Sequence, residues 1–155
     1  MSLSAADLQR IVRTIWSTQL GLELETADVR GLAPRLAAGD TVVVTIHFVG
    51  QFNGRLEQRC SPHVSLCAAA AAFAASGTDL RTSDIHDTVA EMAHMTAGNL
   101  KSVLPGSCEV AIIGPAAEHE DRGGVITRAG FTFEGEPLIV EVIQRAGSSI
   151  NRSKG

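Results

Sequence analysis

The chain contains no tyrosine, one tryptophan and five phenylalanines, so aromatic residues make up only 4% of it. With so few rings and no basic cluster among them, it lacks the stacking platforms and positive stripe of a nucleic-acid binder. No nucleic acid is expected as a partner. Long apolar runs are also missing: the longest, around residues 66–75, falls far short of a bilayer span, and no membrane association is expected. The first ten residues, MSLSAADLQR, lack the basic-then-apolar pattern of a secretory signal. The three cysteines, Cys60, Cys67 and Cys108, are odd in number and not spaced as metal ligands. They suit buried thiols in a reducing compartment, and a cytoplasmic location is the expectation.

What remains describes a folded globule. The 155 residues are 45% hydrophobic and 19% charged, with a formal net charge of −4, outside the regime of disordered chains. A single domain is expected over residues 1–146, with 147–155 as a frayed polar tail.

Ser4 and Asp7 have the spacing of a capping box ahead of the apolar stripe Leu8, Ile11, Val12, Ile15 and Trp16. Gly21 is placed to end that helix. A strand with a loop follows, broken by Gly31 and Pro34. Residues 41–49, TVVVTIHFV, are β-branched and read as a strand. The Asn53-Gly54 turn folds residues 54–59 back as its hairpin partner. Ser61-Pro62 starts a second helix, whose alanines let it lie close against a sheet before it ends near Gly77. A third helix is predicted over residues 84–104, capped by Ser83 and stopped by Pro105-Gly106. After it come a strand at 109–113, a charged loop from Glu118 through Gly124, and a hairpin of 131–133 and 138–143 around Glu134-Gly135. Helices and strands mingle without strict alternation. The fold class is therefore α/β of the α+β type, a mixed and mostly antiparallel sheet with helices packed on one face.

The third helix carries the candidate site. At 100° per residue, Ile85, Val89, Met92, Thr96, Leu100 and Val103 fall on one side. Asp84, Asp87, Glu91, His94, Gly98, Lys101 and Ser102 fall on the other. The i, i+3 pair Glu91 and His94 admits three readings. It can be a solvated face; it can be half of a metal site, for which di-iron bundles need a second copy that this chain lacks; or it can meet a partner. Gly98 favours the partner, because a glycine on an exposed helix face costs about 1 kcal/mol relative to alanine. A missing side chain there lets another backbone approach. Asn99 projects toward the apolar side and reads as a structural hydrogen-bonding residue.

The run Glu91-Met-Ala-His-Met-Thr-Ala-Gly-Asn99 resembles the characteristic helix of the CheX/CheC chemotaxis phosphatases. Their pattern is Glu, then Ile or Leu, any residue, Asn, Met, any residue, Ala, Gly and Asn. A proline follows in that family about twenty residues on, and here Pro115 lies 21 positions after His94. The hairpin 52–57, the helix beginning at Pro62 and the first helix ending at Gly21 extend the resemblance over nearly the whole chain.

The resemblance implies a CheC-like fold and a phosphatase of the aspartyl phosphate on a response-regulator receiver domain, in chemotaxis or two-component signalling. Glu91 would contact the partner's active-site lysine, and position 94 would orient the attacking water. Asp87, Gly98 and Lys101 would line the partner-binding face. Water positioning and electrostatic support suffice for phosphoryl transfer, as with the glutamine of small GTPases. The resemblance implies no cofactor of the chain's own, because the Mg²⁺ would belong to the partner. The family's asparagine is His94 here; an imidazole can hold a water or act as a general base, with a different reach. Two alternatives stay open: a receiver-binding adaptor without turnover, and a metal-binding module through Glu91, His94 and His119.

Other residues carry less. His63 lies in the first turn of its helix with no carboxylate in register, and reads as structural or surface. His47 is the polar-face residue of a half-exposed strand. Glu118–Asp121 reads as a solvated loop, and Gly123-Gly124 lacks the setting of a phosphate loop. The oligomeric state stays open: residues 138–143 read as an exposed edge strand that could pair in a homodimer, as the resemblance would suggest.

Overall fold

The computed structural model describes residues 3–37, 39–74, 79–111 and 123–146. Pro115, His119, the loop 118–121, the region around Gly77 and the tail 147–155 lie outside them.

The first helix, α1 (Ala5–Leu20), opens with the expected box: Ser4 Oγ accepts from the Asp7 amide at 3.1 Å, and the Asp7 carboxylate accepts from the Ser4 amide at 3.3 Å. Gly21 closes it in the left-handed region at φ 70°. The next segment is more structured than a strand with a loop. A short β1 (Glu25–Ala27) leads into the single-turn α2 (Val29–Leu32) and a 3₁₀ turn at Ala33–Leu36 with Pro34 near its start. The hairpin β2 (Val42–Gly50) and β3 (Gly54–Cys60) follows, then α3 (Pro62–Phe73), capped by Ser61 and ending with Ala74 in the left-handed region. The long helix α4 (Thr82–Leu100) precedes β4 (Cys108–Ala111), β5 (Gly124–Phe133) and β6 (Glu136–Gln144).

The strands form one six-stranded sheet in the order β1-β5-β6-β3-β2-β4, every pair antiparallel. The fold is of the α+β type. It corrects one expectation: residues 138–143 lie in β6, which is enclosed between β5 and β3 and is not an edge. Among the described residues the edges are β1 and β4. Burial of β6 on both faces explains why its apolar residues run almost without a break.

Leu138, Val140 and Val142 point into the main core beneath α1, α3 and α4, with Trp16, Phe48, Phe52, Leu56 and Phe131. Ile139 points the other way, where Val29, Leu32 and Leu36 of α2 and the 3₁₀ turn cover it. The three long helices thus occupy one face, as expected, and a short helical patch covers part of the other. Glu141, also on that second face, sits between Arg59 at 3.8 Å and Arg128 at 3.6 Å. His47 is buried at 7% exposure and is not the half-exposed polar residue that strand alternation suggested.

In the helix layer α4 lies centrally, over β2 and β3, with α1 and α3 against it. The alanines of α3 serve that contact more than a sheet contact: Ala68 and Ala69 are fully buried, and α3 leans chiefly on α4. Small side chains there bring the two axes close together.

Candidate functional site

The face that α4 buries is the one its apolar spacing demands: Val89, Met92, Ala93, Thr96, Ala97 and Leu100 are all buried. The hydroxyls of Thr88 and Thr96 donate to the carbonyls of Asp84 and Met92, so neither leaves an unsatisfied group in the core. Gln58 on β3, wholly buried, donates its side-chain amide to the Val89 carbonyl at 3.0 Å. This bond fixes how α4 is rotated on the sheet, and therefore which residues face outward.

The helix limits differ from the sequence expectation at both ends. It begins on Arg81, whose amide donates to the Asp84 carboxylate at 3.0 Å, so Ser83 is inside the first turn and is not the cap. It ends at Leu100, not 104, where successive tight turns (Val103 to Leu100 at 3.0 Å, Gly106 to Leu104 at 2.8 Å) bring the chain to Pro105 and Gly106.

Outward lie Asp87, Glu91, His94 and Gly98, all exposed and separated by three or four residues along one face. Neither Glu91 nor His94 is held by a hydrogen bond or ion pair to a described residue. Among the described residues, a Cβ added at Gly98 would meet nothing within 4 Å. Packing among the described residues therefore gives no reason for a glycine there. Lys101 stands just past the helix end, half-buried, and its Nζ donates to Glu109 Oε1 on β4 at 3.0 Å. Asn99 is exposed, contrary to its projection toward the core, and its amide bonds the Met95 carbonyl at 2.9 Å.

Beside Glu91 the surface turns apolar. A cleft of about 220 Å³ is lined by Ala72, Phe73, Asp87, Thr88, Glu91 and Met92. Phe73, the last residue of α3, is 51% exposed, unusual for a large aromatic ring. Sequence reasoning missed it. Its only signal was a phenylalanine closing an alanine run, which also suits a core position. Chemically, this face offers a free carboxylate, an imidazole able to hold water, a bare stretch of backbone and an apolar anchor.

A second grouping lies at the other end of α3. His63 Nε2 is 2.8 Å from Glu134 Oε1, a carboxylate brought by the β5–β6 turn from 71 residues away. Cys67 Sγ lies 3.5 Å from the same nitrogen. His63 thus has the carboxylate partner that register on its own helix does not supply. Of the thiols, Cys60 and Cys108 are buried as expected but Cys67 is not. Burial pushes Cys60 up to about 12; it also raises Cys67, with the Glu134 charge adding to the effect. Among the described residues, His63, Cys67 and Glu134 are the only group of three metal-ligating side chains in mutual reach. Glu91 and His94 belong to no such group, and His119 lies outside the described residues. No described helix is long and apolar enough to cross a membrane.

An antiparallel six-stranded sheet with three long helices on one face has counterparts among the solved structures of CheX and CheC-like chemotaxis proteins. By sequence, no family model matches the chain and no curated protein does. By structure, it is similar to the chemotaxis protein CheX from Vibrio vulnificus, with TM-score 0.68 and 18% identity over 89% of this chain and 93% of that one. It is similar to a CheC-like superfamily protein from Shewanella sp. PV-4, with TM-score 0.66 and 16% identity over 90% and 95%. A third likeness is to CheX from Borrelia burgdorferi, solved as a complex with CheY, BeF₃ and Mg²⁺, with TM-score 0.61 and 14% identity over 89% and 95%. The fold is that of CheX.

Proposed function

We propose that the chain is a phosphatase for the aspartyl phosphate of a response-regulator receiver domain, acting through the exposed face of α4. The observation that carries this reading is the stripe Glu91, His94 and Gly98: among the described residues, two unengaged polar groups stand beside open space that no packing explains. The CheX fold supports it, since the Borrelia relative with that fold was solved with CheY. Glu91 docks against a cation of the receiver's site. His94 holds a water in line with the phosphorus, and the imidazole can accept its proton as the P–O bond to the aspartate breaks. Gly98 lets the receiver's backbone close on the helix, and Phe73 fills an apolar contact beside Glu91. Asp87 borders the same cleft, and Lys101 marks the end of the face. The Mg²⁺ belongs to the receiver, and this face needs no cofactor of its own.

One observation favours a second reading. The resembling family's pattern has an amide at the position of His94, so an imidazole there also fits an adaptor that binds receivers without turnover.

The test is the decay of a phosphorylated receiver domain with added wild type, His94→Ala, His94→Asn and Glu91→Ala. The phosphatase reading expects acceleration by the wild type, lost by about 100-fold in His94→Ala. Complex formation without acceleration establishes the adaptor, and turnover that appears only in His94→Asn marks a chain that has lost the activity.

A further inference from the structure

We infer that His63, Cys67 and Glu134 form a binding site for a borderline-soft divalent cation, zinc(II) in the first place, at the end of α3 remote from the proposed phosphatase face.

The donor set is one nitrogen, one sulfur and one carboxylate oxygen, and the three atoms all lie within 4.8 Å of one another. Imidazole with thiolate selects zinc over the hard cations, which prefer oxygen cages. The spacing fits as well. Ligands at Zn–N and Zn–S bond lengths on a tetrahedron stand roughly 3.5 Å apart. His63 Nε2 and Cys67 Sγ are 3.5 Å apart already. Glu134 Oε1 lies 2.8 Å from the imidazole and within 4.8 Å of Cys67 Sγ, and its side chain, 62% exposed, is free to adjust to both. A fourth position remains for water.

The backbone explains why the three meet. His63 and Cys67 stand at i and i+4 in the first turns of α3, on one face. The two-residue turn Glu134-Gly135 has positive φ at both positions, 53° and 80°, the pattern of a tight hairpin, although glutamate gains nothing locally from that conformation. The turn is held in place from two sides. Arg35 donates to the Gly135 carbonyl at 2.9 Å, and the Ser61 amide at the α3 cap donates to the Pro137 carbonyl at 3.1 Å. A cation here would clip α3 to the β5–β6 turn. His63 and Phe73 are ten residues apart on α3, about 15 Å of helix, so this site and the α4 face act separately.

The experiment titrates untagged full-length protein, purified free of metal and under reductant without thiol chelators, with Zn²⁺ against a colorimetric zinc indicator. Co²⁺ is then used to report the ligands by its spectrum. Expected are one equivalent of Zn²⁺, a sulfur-to-cobalt charge-transfer band, and tetrahedral d–d absorption. Loss of an outer-sphere partner costs metal sites about 10–100-fold in affinity, so removal of a ligand in His63→Ala or Cys67→Ser should weaken binding at least that much. Glu134→Gln should weaken it by a smaller factor. Zn²⁺ should raise the melting temperature of the wild type and leave that of Cys67→Ser unmoved, while circular dichroism of the metal-free variants confirms that they fold. Binding unchanged in all three folded variants overturns the inference, as does a cobalt complex without a sulfur band. So does binding that follows His94→Ala instead.

Discussion

Gly98→Ala separates stability from function at one atom. The helix at Gly98 is regular, and a Cβ there meets nothing within 4 Å, so alanine fits without strain. Alanine is favoured over glycine by about 1 kcal/mol in a helix interior. Gly98 lies in the last turn, where fraying reduces the gain, so about 0.5–1 kcal/mol is expected. For a domain of this size that corresponds to a rise of about 1–4 °C in melting temperature. The same methyl faces outward where the proposal seats a receiver's backbone. Overpacking a close contact costs about 1–3 kcal/mol, or roughly 5- to 100-fold in affinity. Calorimetry and titration of a receiver carrying beryllofluoride and Mg²⁺ give the two readouts. A variant that melts higher and binds more weakly bears out the account. One that melts higher and binds and dephosphorylates like the wild type refutes the role given to Gly98, and one that melts lower refutes the open space above it.

Phe73→Ala should weaken receiver binding by about tenfold, measured by the same titration, while costing little stability because half the ring is already in water. Gln58→Ala should cost about 2–3 kcal/mol in chemical denaturation through a lost bond and a cavity, whereas Gln58→Leu should cost less than about 1.5 kcal/mol. The leucine also removes the buried Gln58 Oε1, which has no partner among the described residues. Ser4→Ala should destabilise by about 1 kcal/mol at neutral pH. The Ser4 hydroxyl and amide, with Arg10, hold the Asp7 carboxyl below its usual value. That group therefore stabilises the fold above the ordinary carboxylate range and loses its contribution as pH falls through its lowered value, so thermal melts from pH 6 down to 2 should show less acid loss in Ser4→Ala. Alkylation at pH 8 should modify Cys67 before Cys60, because Cys60 is fully buried with its thiol pushed to about 12.

Much of the fold was legible because its long elements carry strong local signals. The caps at Ser4 and Ser61, the Asn53-Gly54 turn and the two-sided pattern of α4 all rest on contacts within a few residues. Where the sequence misled, a competing local signal or a distant contact decided. Ser83 is a good capping residue, but the Asp84 carboxylate reaches back to Arg81 and starts the helix earlier. Strand β6 reads as an edge only if its nearly continuous apolar run is ignored; burial on both faces was already implied by Leu138 through Val140. The single turn of α2 is too short to show a period. At the site, the exposed order of Asp87, Glu91, His94 and Gly98 followed from helical spacing alone. The exposure of Phe73, the pairing of His63 with Glu134 and the support of Gln58 beneath Val89 did not. The last two join residues 71 and 31 positions apart, which no local pattern encodes.

The central claim is that His94 acts on water while Glu91 acts on docking. It is tested most directly by the rate of aspartyl-phosphate loss from a phosphorylated receiver at saturating His94→Ala, beside saturating wild type. The account predicts that saturation is still reached at a similar protein concentration, with a limiting rate lower by about 100-fold. A limiting rate equal to that of the wild type would contradict it.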